Sequence, residues 1–216
     1  MKKLIIFDLD GTLLNTSEGI LHCYHKTAKL LVLKKNPVNN DSIVIGGPLS
    51  DGFRTLYDIP DDKTLVKAID TYRKLYANEG IRKFSRYGGI DTALRQLKSD
   101  GYQLGVATLK LEEYAKTMLK SADLAKYFDT IHGWDGTEKC TKAYTVIKVL
   151  FEQKCLAKDA VLVGDSVYDK KGAEIAGVDF LGVTYGFGIK QGNKLNSRFD
   201  TVDSPAELTN YFIQQK

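Results

Sequence analysis

The sequence predicts an α/β fold in which helices cover both faces of a parallel sheet and a small helical domain is inserted after the first strand. The chain opens with a short apolar run over residues 5–7, which is typical of a buried strand and ends at Asp8. Residues 16–82 then show helical periodicity without a strand pattern. From Phe84 onward, short apolar strands alternate with helices, as in parallel sheets whose strands are joined by crossover helices.

The length of 216 residues and a hydrophobic content of 43% suit one core that carries a smaller insertion. We expect an α/β core domain of residues 1–15 and 83–216 and a helical cap domain of residues 16–82. The 31 Lys and Arg residues exceed the 27 Asp and Glu residues and give a net charge of +4. This mild excess suits small anionic ligands and gives no indication of nucleic-acid binding. We expect a monomer or a weak homodimer.

Cysteine usage and hydropathy predict a cytoplasmic protein. Cys23, Cys140 and Cys155 are odd in number and far apart, which favours free thiols over a disulfide framework or a zinc site. The first apolar run stops at Asp8, too early for a secretory signal, and no later segment is long enough to span a bilayer. We therefore expect no membrane partner.

Three helices are predicted in the inserted region. The first covers residues 17–33, with Ser17 as its N-cap and apolar residues recurring on one face. A short second helix is expected over residues 50–57. The third begins at Asp61-Asp62 and ends near Gly80.

Strands and helices alternate in the remainder of the core. Strands are predicted over residues 102–107, 128–133, 160–164, 180–184 and 199–202. Helices are predicted over residues 90–100, 111–121, 141–154, 169–176 and 206–212, and Gly177 is placed to end the fourth of them. Helical spacing in the third predicts a buried face formed by Ala143, Val146, Ile147 and Leu150.

Polar residues follow several predicted strands or begin the next helix. They are Asp8, Asp10, Thr108, Lys142, Asp165 and Asp169. In open α/β sheets, ligands bind beyond the carboxyl ends of the strands, so these side chains are expected to meet. Each alone has an ordinary explanation as a turn former, a helix cap or an exposed charge. Together they supply the parts of a phosphoryl-transfer site, which works by positioning and charge stabilisation.

The proposed chemistry centres on two carboxylates one residue apart. Asp8 can attack phosphorus and become an acyl phosphate. Asp10 can protonate the leaving alkoxide and later deprotonate the attacking water. The hydroxyl of Thr108 and the ammonium of Lys142 are expected to bind the transferring oxygens, helped by backbone N–H groups of the 9–12 turn.

The same acids predict a metal site, because two carboxylates so close repel each other unless a cation or a proton lies between them. We expect Asp8, the backbone carbonyl of Asp10 and Asp165 to hold Mg²⁺, which prefers oxygen ligands. Asp169 is expected beside them, where it orients a metal-bound water or Lys142.

With these residues identified, the chain resembles the haloacid dehalogenase superfamily, and within it the phosphoglycolate phosphatase-like enzymes with a helical cap. The matching motifs are Asp8-Leu9-Asp10-Gly11-Thr12, Thr108 with Lys110, Lys142, and Gly164-Asp165-Ser166 followed by Asp169. The resemblance covers nearly the whole chain and implies a Rossmann-like core, a Mg²⁺ cofactor and hydrolysis of a small phosphate ester. The chain departs from the family at Leu109, where relatives often have Asn, and at Gly88-Gly89, where they often have Pro-Gly.

Other functions remain open on sequence grounds. A sugar phosphomutase or a 5′-nucleotidase-type phosphatase would use the same residues. A regulatory protein phosphorylated on Asp8 is the non-enzymatic alternative, and Asp10 argues against it because a positioned acid/base speeds turnover. Dehalogenation at carbon is disfavoured, since Asp10 and the phosphate-binding residues would then have no role.

Two pairs of residues that include histidines give weaker indications of a functional site. His22 and His25 lie three residues apart on a predicted helix and could bind a metal, but no third ligand is evident. His132 and Trp134 end a predicted strand and could line the pocket.

Aromatic and glycine residues give two further expectations. Tyr72, Tyr76 and Tyr87 are interpreted as packing residues of the cap. Gly186 and Gly188 would either allow a loop to approach the site closely or form ordinary turns.

Overall fold

A computed structural model describes residues 2–37, 45–137, 139–190 and 199–214. Contacts between Cα atoms divide the chain into two compact units. One comprises Met1–Asn15 and Ser85–Lys216, and the other comprises Thr16–Phe84. The assignment of residues 16–82 as a cap domain stays a prediction.

The larger unit contains all the strands found in the described residues. They are β1 (Leu4–Phe7), β2 (Leu14–Asn15), β3 (Ser85–Arg86), β4 (Gln103–Leu111), β5 (Thr130–Trp134), β6 (Ala160–Gly164), β7 (Asp179–Val183) and β8 (Asp200–Val202). Six of them form a sheet in the order β5-β4-β1-β6-β7-β8, and every neighbouring pair in it is parallel. Strands β2 and β3 form a short antiparallel pair that periodicity did not indicate.

Helices occupy the intervals between the strands. They are α1 (Ser17–Leu31), α2 (Leu49–Leu56) and α3 (Asp62–Asn78) in the smaller unit, then α4 (Ile90–Ser99), α5 (Glu112–Ser121), α6 (Lys142–Glu152), α7 (Val167–Ala176) and α8 (Pro205–Ile213) in the larger one. The predicted α/β architecture, a Rossmann-like parallel sheet covered by helices, is confirmed. None of these helices, in the part of the chain that the structure describes, is both long and apolar enough to cross a membrane.

Strand β1 lies at the centre of the sheet and is fully buried. Leu4 and Ile6 face a core cluster that includes Val146 and Val149 of α6. The alternation of side chains along a strand directs Phe7 to the opposite face, where its ring centroid lies 6.1 Å from that of Phe128. Burial on both faces explains why this strand reads as a continuous apolar run.

Two details of the helices differ from the sequence predictions. The side chain of Ile147 is exposed, with 48% of the residue's surface accessible, and Val149 takes its place on the buried face of α6. The N-cap of α1 is Thr16, without a side-chain capping bond, and not Ser17. The predicted end of α7 at Gly177 is confirmed, with the glycine in the left-handed conformation at a φ of 72°.

Aromatic side chains form the core of the smaller unit. The ring centroids of Tyr24 and Tyr72 lie 4.8 Å apart, and Tyr72 stacks on Tyr76 at 5.8 Å. The packing role predicted for Tyr72 and Tyr76 is confirmed. Tyr87 instead belongs to the larger unit, where its ring centroid lies 4.8 Å from that of Tyr185, because it follows β3, which already pairs with β2 of that unit.

Candidate active site

Two buried carboxylates follow adjacent parallel strands. Asp8 comes directly after β1, and Asp165 comes directly after β6. The backbone N–H of Asp8 donates to the carbonyl of Val163 at 2.9 Å, so the pairing of the two strands continues through Asp8. Since parallel neighbours end at the same edge of a sheet, the two carboxylates are brought together there.

Lys142 is the first residue of α6, and its buried ammonium binds three oxygen atoms. Its Nζ lies 2.5 Å from Oδ1 of Asp8, 2.6 Å from Oδ1 of Asp169 and 2.6 Å from the carbonyl oxygen of Ala107. An ammonium has three protons, so these partners account for its full donor capacity. The predicted proximity of Lys142 to the acidic residues is therefore observed.

Asp169 lies in the first turn of α7, where its carboxylate also completes the start of the helix. Its Oδ2 accepts from the backbone N–H of Ser166 at 3.0 Å and from the Ser166 hydroxyl at 2.5 Å. The Ser166 oxygen in turn accepts from the N–H of Asp169 at 3.3 Å, which completes a capping box. One oxygen of Asp169 thus fixes the helix start while the other faces Lys142.

The carboxylate of Asp165 is held by backbone amides of the loop after β7. Its Oδ2 accepts from the N–H of Phe187 at 2.6 Å and from that of Gly188 at 3.2 Å. The backbone carbonyl of Asp165 accepts from the N–H of Ile189 at 2.6 Å. The loop that contains Gly186 and Gly188 therefore does approach the site closely.

Lys110 links Asp10 to Thr108. The Nζ atom of Lys110 lies 2.8 Å and 3.0 Å from the two carboxylate oxygens of Asp10, and its backbone N–H donates to Oγ1 of Thr108 at 3.1 Å. Thr108 follows Ala107, whose carbonyl binds Lys142. Lys110 was recognised only as part of a motif, and its position two residues after Thr108 was the signal that pointed to the site.

Burial and mutual repulsion raise the pKa values of two acids in the cluster. Burial raises the pKa of Asp8 to about 7, against the attraction of Lys142 and in the same direction as the charge of Asp169. Burial, followed by the charges of Asp169 and Asp8, raises the pKa of Asp165 well above its ordinary value. Burial lowers the pKa of Lys142, but the carboxylates of Asp169 and Asp8 outweigh it and the pKa is raised. The lysine therefore stays charged, and Asp8 and Asp165 keep their protons more readily than exposed carboxyl groups do.

The donor set fits a hard divalent cation. Among the described residues, Asp8, Asp165 and Asp169 each offer a carboxylate oxygen, and these atoms lie within 4.8 Å of one another. Oxygen-only ligands are those that Mg²⁺ prefers. When Asp8, Asp165 and Asp169 are ionised, the ammonium of Lys142 offsets one of their three negative charges, and the two that remain match one divalent cation.

The histidine candidates bind other partners. His22 Nε2 lies 2.9 Å from a carboxylate oxygen of Glu79, and His25 Nδ1 lies 2.7 Å from the hydroxyl of Tyr57, so the two rings do not share a ligand. His132 Nε2 lies 2.7 Å from Glu152 on α6.

Trp134, the other residue considered for the pocket, makes a local contact. Its Nε1 donates to the carbonyl of Thr137 at 2.7 Å. Trp134 is therefore engaged in the turn that follows β5.

Comparisons with known proteins agree with this geometry. The sequence profile of the haloacid dehalogenase-like hydrolases matches residues 5–183. The chain is 32% identical over 213 residues to the phosphoglycolate phosphatase of Aquifex aeolicus, covering 95% of this chain and 94% of that protein. It is 31% identical over 187 residues to a 5′-nucleotidase of Pseudomonas aeruginosa, covering 85% and 83%.

The fold is shared with a solved structure of similar length. A haloacid dehalogenase-like hydrolase from Streptococcus pneumoniae superposes with a TM-score of 0.87 at 30% identity and covers 98% of each chain. The match extends over the strands and helices that carry the acidic cluster. The chain belongs to the haloacid dehalogenase-like hydrolase family.

Proposed function

We propose that this protein is a Mg²⁺-dependent phosphomonoesterase that acts on a small phosphorylated metabolite through an aspartyl-phosphate on Asp8. Its family and its named relatives make it a phosphatase-type enzyme, and the proposal adds the nucleophile, the metal and the substrate class. The observation that carries the proposal is the ammonium of Lys142 bound to both Asp8 and Asp169, with Asp165 in the same buried cluster.

In the first step, Asp8 acts as the nucleophile. A carboxylate oxygen of Asp8 forms a bond to phosphorus while the bond from phosphorus to the ester oxygen breaks. Asp10 gives its proton to the departing oxygen, so the product leaves as an alcohol. The hydroxyl of Thr108 donates a hydrogen bond to an oxygen of the transferring group, and Lys142 stabilises the charge of that group by exchanging its bond to Asp8 for one to a transferring oxygen.

In the second step, water releases the phosphoryl group. Asp10, now a carboxylate, accepts a proton from the attacking water as the water oxygen bonds to phosphorus. The bond between phosphorus and Asp8 breaks, which yields inorganic phosphate and restores the Asp8 carboxylate. Asp10 is protonated again and ready for the next ester.

The proposed metal ligands are Asp8, Asp165 and Asp169, with the backbone carbonyl of Asp10. When bound, Mg²⁺ supplies positive charge that offsets the repulsion between an anionic ester and these carboxylates. The capping box holds Asp169 in place, and the loop amides hold Asp165.

The substrate class is proposed from the relatives. The match to a phosphoglycolate phosphatase favours a small phosphorylated acid, and the match to a 5′-nucleotidase makes nucleoside monophosphates the second candidate class. The three cysteines are free thiols, which supports a reducing cytoplasm as the location. We further propose that the enzyme works as a monomer or a weak homodimer, without nucleic-acid or membrane partners.

Phosphate release from a panel of esters tests the proposal. The panel contains phosphoglycolate, nucleoside 5′-monophosphates and sugar phosphates, each with Mg²⁺ and with a chelator. We expect Mg²⁺-dependent release by the wild type and its loss in Asp8→Asn. Asp123→Asn is the matched control, because Asp123 is an exposed surface residue in the left-handed conformation that asparagine also accepts.

Three outcomes would contradict the proposal. Full activity of Asp8→Asn would exclude Asp8 as the nucleophile, and full activity with chelator would exclude the metal. Isomerised sugar phosphate without release of inorganic phosphate would identify a mutase instead.

A further inference from the structure

The loop after β7, residues 185–189, donates three backbone hydrogen bonds to Asp165. Two of its amides donate to the same oxygen, Oδ2 of Asp165, and a third, that of Ile189, donates to the backbone carbonyl of Asp165. The amides use both lone pairs of Oδ2. The other oxygen, Oδ1, is therefore the one that we expect a cation to contact.

Glycine is required at the point of closest approach. A Cβ atom at Gly186 would overlap the Cβ of Asp165 and the carbonyl oxygen of Gly11, both of them atoms that cannot swing aside. Gly186 does not have a positive φ, so this contact and not backbone strain excludes a side chain there. The absence of a side chain at Gly186 thus allows the loop to touch the two turns that carry Asp165 and Asp10.

Tyr185 holds the same loop in place through a second set of contacts. Its hydroxyl donates to the carbonyl of Thr12 at 3.1 Å, and its ring lies against that of Tyr87. Thr12 belongs to the turn that follows Asp10. The loop is thereby anchored to the turn that follows Asp10 as well as to Asp165.

We propose that residues 185–189 are a positioning segment that fixes Asp165 for binding of a divalent cation, and that the fit of this segment depends on the absence of a side chain at Gly186. The inference rests on the proposed function, because it requires the cation at Asp8, Asp165 and Asp169. It assigns a role to residues outside the proposed catalytic and metal-binding set.

Calorimetric titration of the full chain with Mg²⁺, in the absence of substrate, tests this assignment. Because residues that orient metal ligands typically account for 10- to 100-fold in affinity, we expect Gly186→Ala to bind Mg²⁺ roughly 10- to 100-fold more weakly than the wild type. Gly88→Ala is the matched control, since a Cβ there meets no atom within 4 Å and its φ is not positive either. Its Mg²⁺ affinity should equal that of the wild type.

Thermal unfolding without Mg²⁺ distinguishes a role of the segment in positioning Asp165 from a role in folding. A positioning role predicts weaker Mg²⁺ binding by Gly186→Ala at a temperature where the variant is fully folded. Equal affinity in a folded Gly186→Ala protein would overturn the inference while leaving the proposed function intact. Failure of the wild type to bind Mg²⁺ would overturn the proposed metal site itself.

A milder variant decides the matter if Gly186→Ala does not fold. Tyr185→Phe removes only the hydroxyl that binds Thr12 and keeps the ring against Tyr87. We expect a smaller loss, on the order of 2- to 5-fold in Mg²⁺ affinity, since one hydrogen bond contributes about 1 kcal/mol. Unchanged affinity in this variant would then reject the inference.

Discussion

The ammonium of Lys110 binds both carboxylate oxygens of Asp10, at 2.8 Å and 3.0 Å, and both side chains are nearly inaccessible to solvent. A carboxylate held at both oxygens has its direction fixed. Asp10 is the proposed acid and base of the reaction, so the direction of its carboxylate decides whether it can reach the leaving oxygen.

Replacing Lys110 should slow the reaction. We expect Lys110→Met to lower kcat by about 10- to 100-fold, part of the roughly 10²- to 10⁴-fold that general acid–base catalysis contributes, with a smaller change in KM. Lys110→Arg should restore part of the rate, because a guanidinium can also bind a carboxylate at both oxygens. Steady-state kinetics on the best ester give both constants.

Lys116→Met serves as the control for this series, since Lys116 forms an exposed ion pair with Glu112. Its kcat should match that of the wild type. An unchanged kcat in folded Lys110→Met would show that Asp10 does not depend on Lys110.

Removing the charge of Asp8 should stabilise the metal-free protein at high pH. The pKa of Asp8 is raised from an ordinary value of 3.8 to about 7, so the folded state favours its protonated form. The contribution of protonated Asp8 to the free energy of unfolding is fully present below pH 4 and is lost as pH rises through 7. In chelator at pH 8, Asp8→Asn should therefore raise Tm by at least about 2–4 °C, which corresponds to about 1 kcal/mol.

The gain should be smaller at pH 5, where Asp8 in the wild type is still protonated. Thermal melts at both pH values measure the difference, with Asp123→Asn as the surface control. A lower Tm of Asp8→Asn at pH 8 would mean that the pair with Lys142 outweighs the cost of burying the charge.

Stabilisation by Mg²⁺ should increase with pH. The pKa of Asp8 is raised to about 7, so a proton occupies this carboxylate at pH 5.5 and competes with the cation, and the raised pKa of Asp165 acts in the same direction. At pH 8 this competition is weaker. The increase in Tm caused by about 10 mM Mg²⁺ should therefore be larger at pH 8 than at pH 5.5. Melts at equal ionic strength in NaCl provide the reference, and an increase in Tm that does not depend on pH would argue against binding at these acids.

Replacements of Lys142 and Asp169 should have strongly non-additive effects on the free energy of unfolding. Lys142→Met leaves the buried carboxylates of Asp8 and Asp169 without their ammonium, and breaking a buried ion pair in this way typically costs about 3–5 kcal/mol. Asp169→Asn removes one of the two carboxylates that bind Lys142 and should cost less, because Asp8 still pairs with the ammonium. The double variant should be less destabilised than the sum of the two, with a coupling energy above about 1 kcal/mol in urea unfolding.

The exposed pair of Lys170 and Glu174, separated by 3.6 Å, is the comparison. Lys170→Met and Glu174→Gln should combine additively to within about 0.5 kcal/mol. Additive effects at Lys142 and Asp169 would indicate that the two side chains do not interact in solution.

Sequence periodicity was sufficient for the fold because the sheet is buried on both faces. Strands such as β1 and β6 appear as short apolar runs, and their ends locate Asp8 and Asp165 without any knowledge of the packing. Lys142 and Asp169 were expected at the site because a helix that follows such a strand begins at the same edge of the sheet. Their contacts agree with that expectation, and their catalytic roles stay a prediction.

Periodicity does not predict features that depend on how a helix or strand packs against its neighbours. Ile147 and Val149 are both apolar, and only the position of α6 against the sheet decides which of them is buried. The sequence motif includes Lys110 without indicating its contact, and the predicted strand ends at Ala107. The structure continues β4 to Leu111 with a shift of register, and this brings Lys110 to Asp10.

A single carboxylate, that of Asp169, both caps α7 and binds Lys142. The first turn of this helix therefore cannot open without releasing the lysine. Local opening of a helix end requires less free energy than global unfolding. Amide hydrogen exchange at residues 166–170 should consequently report how often the cluster comes apart, and mild denaturant should inactivate the enzyme before the sheet unfolds.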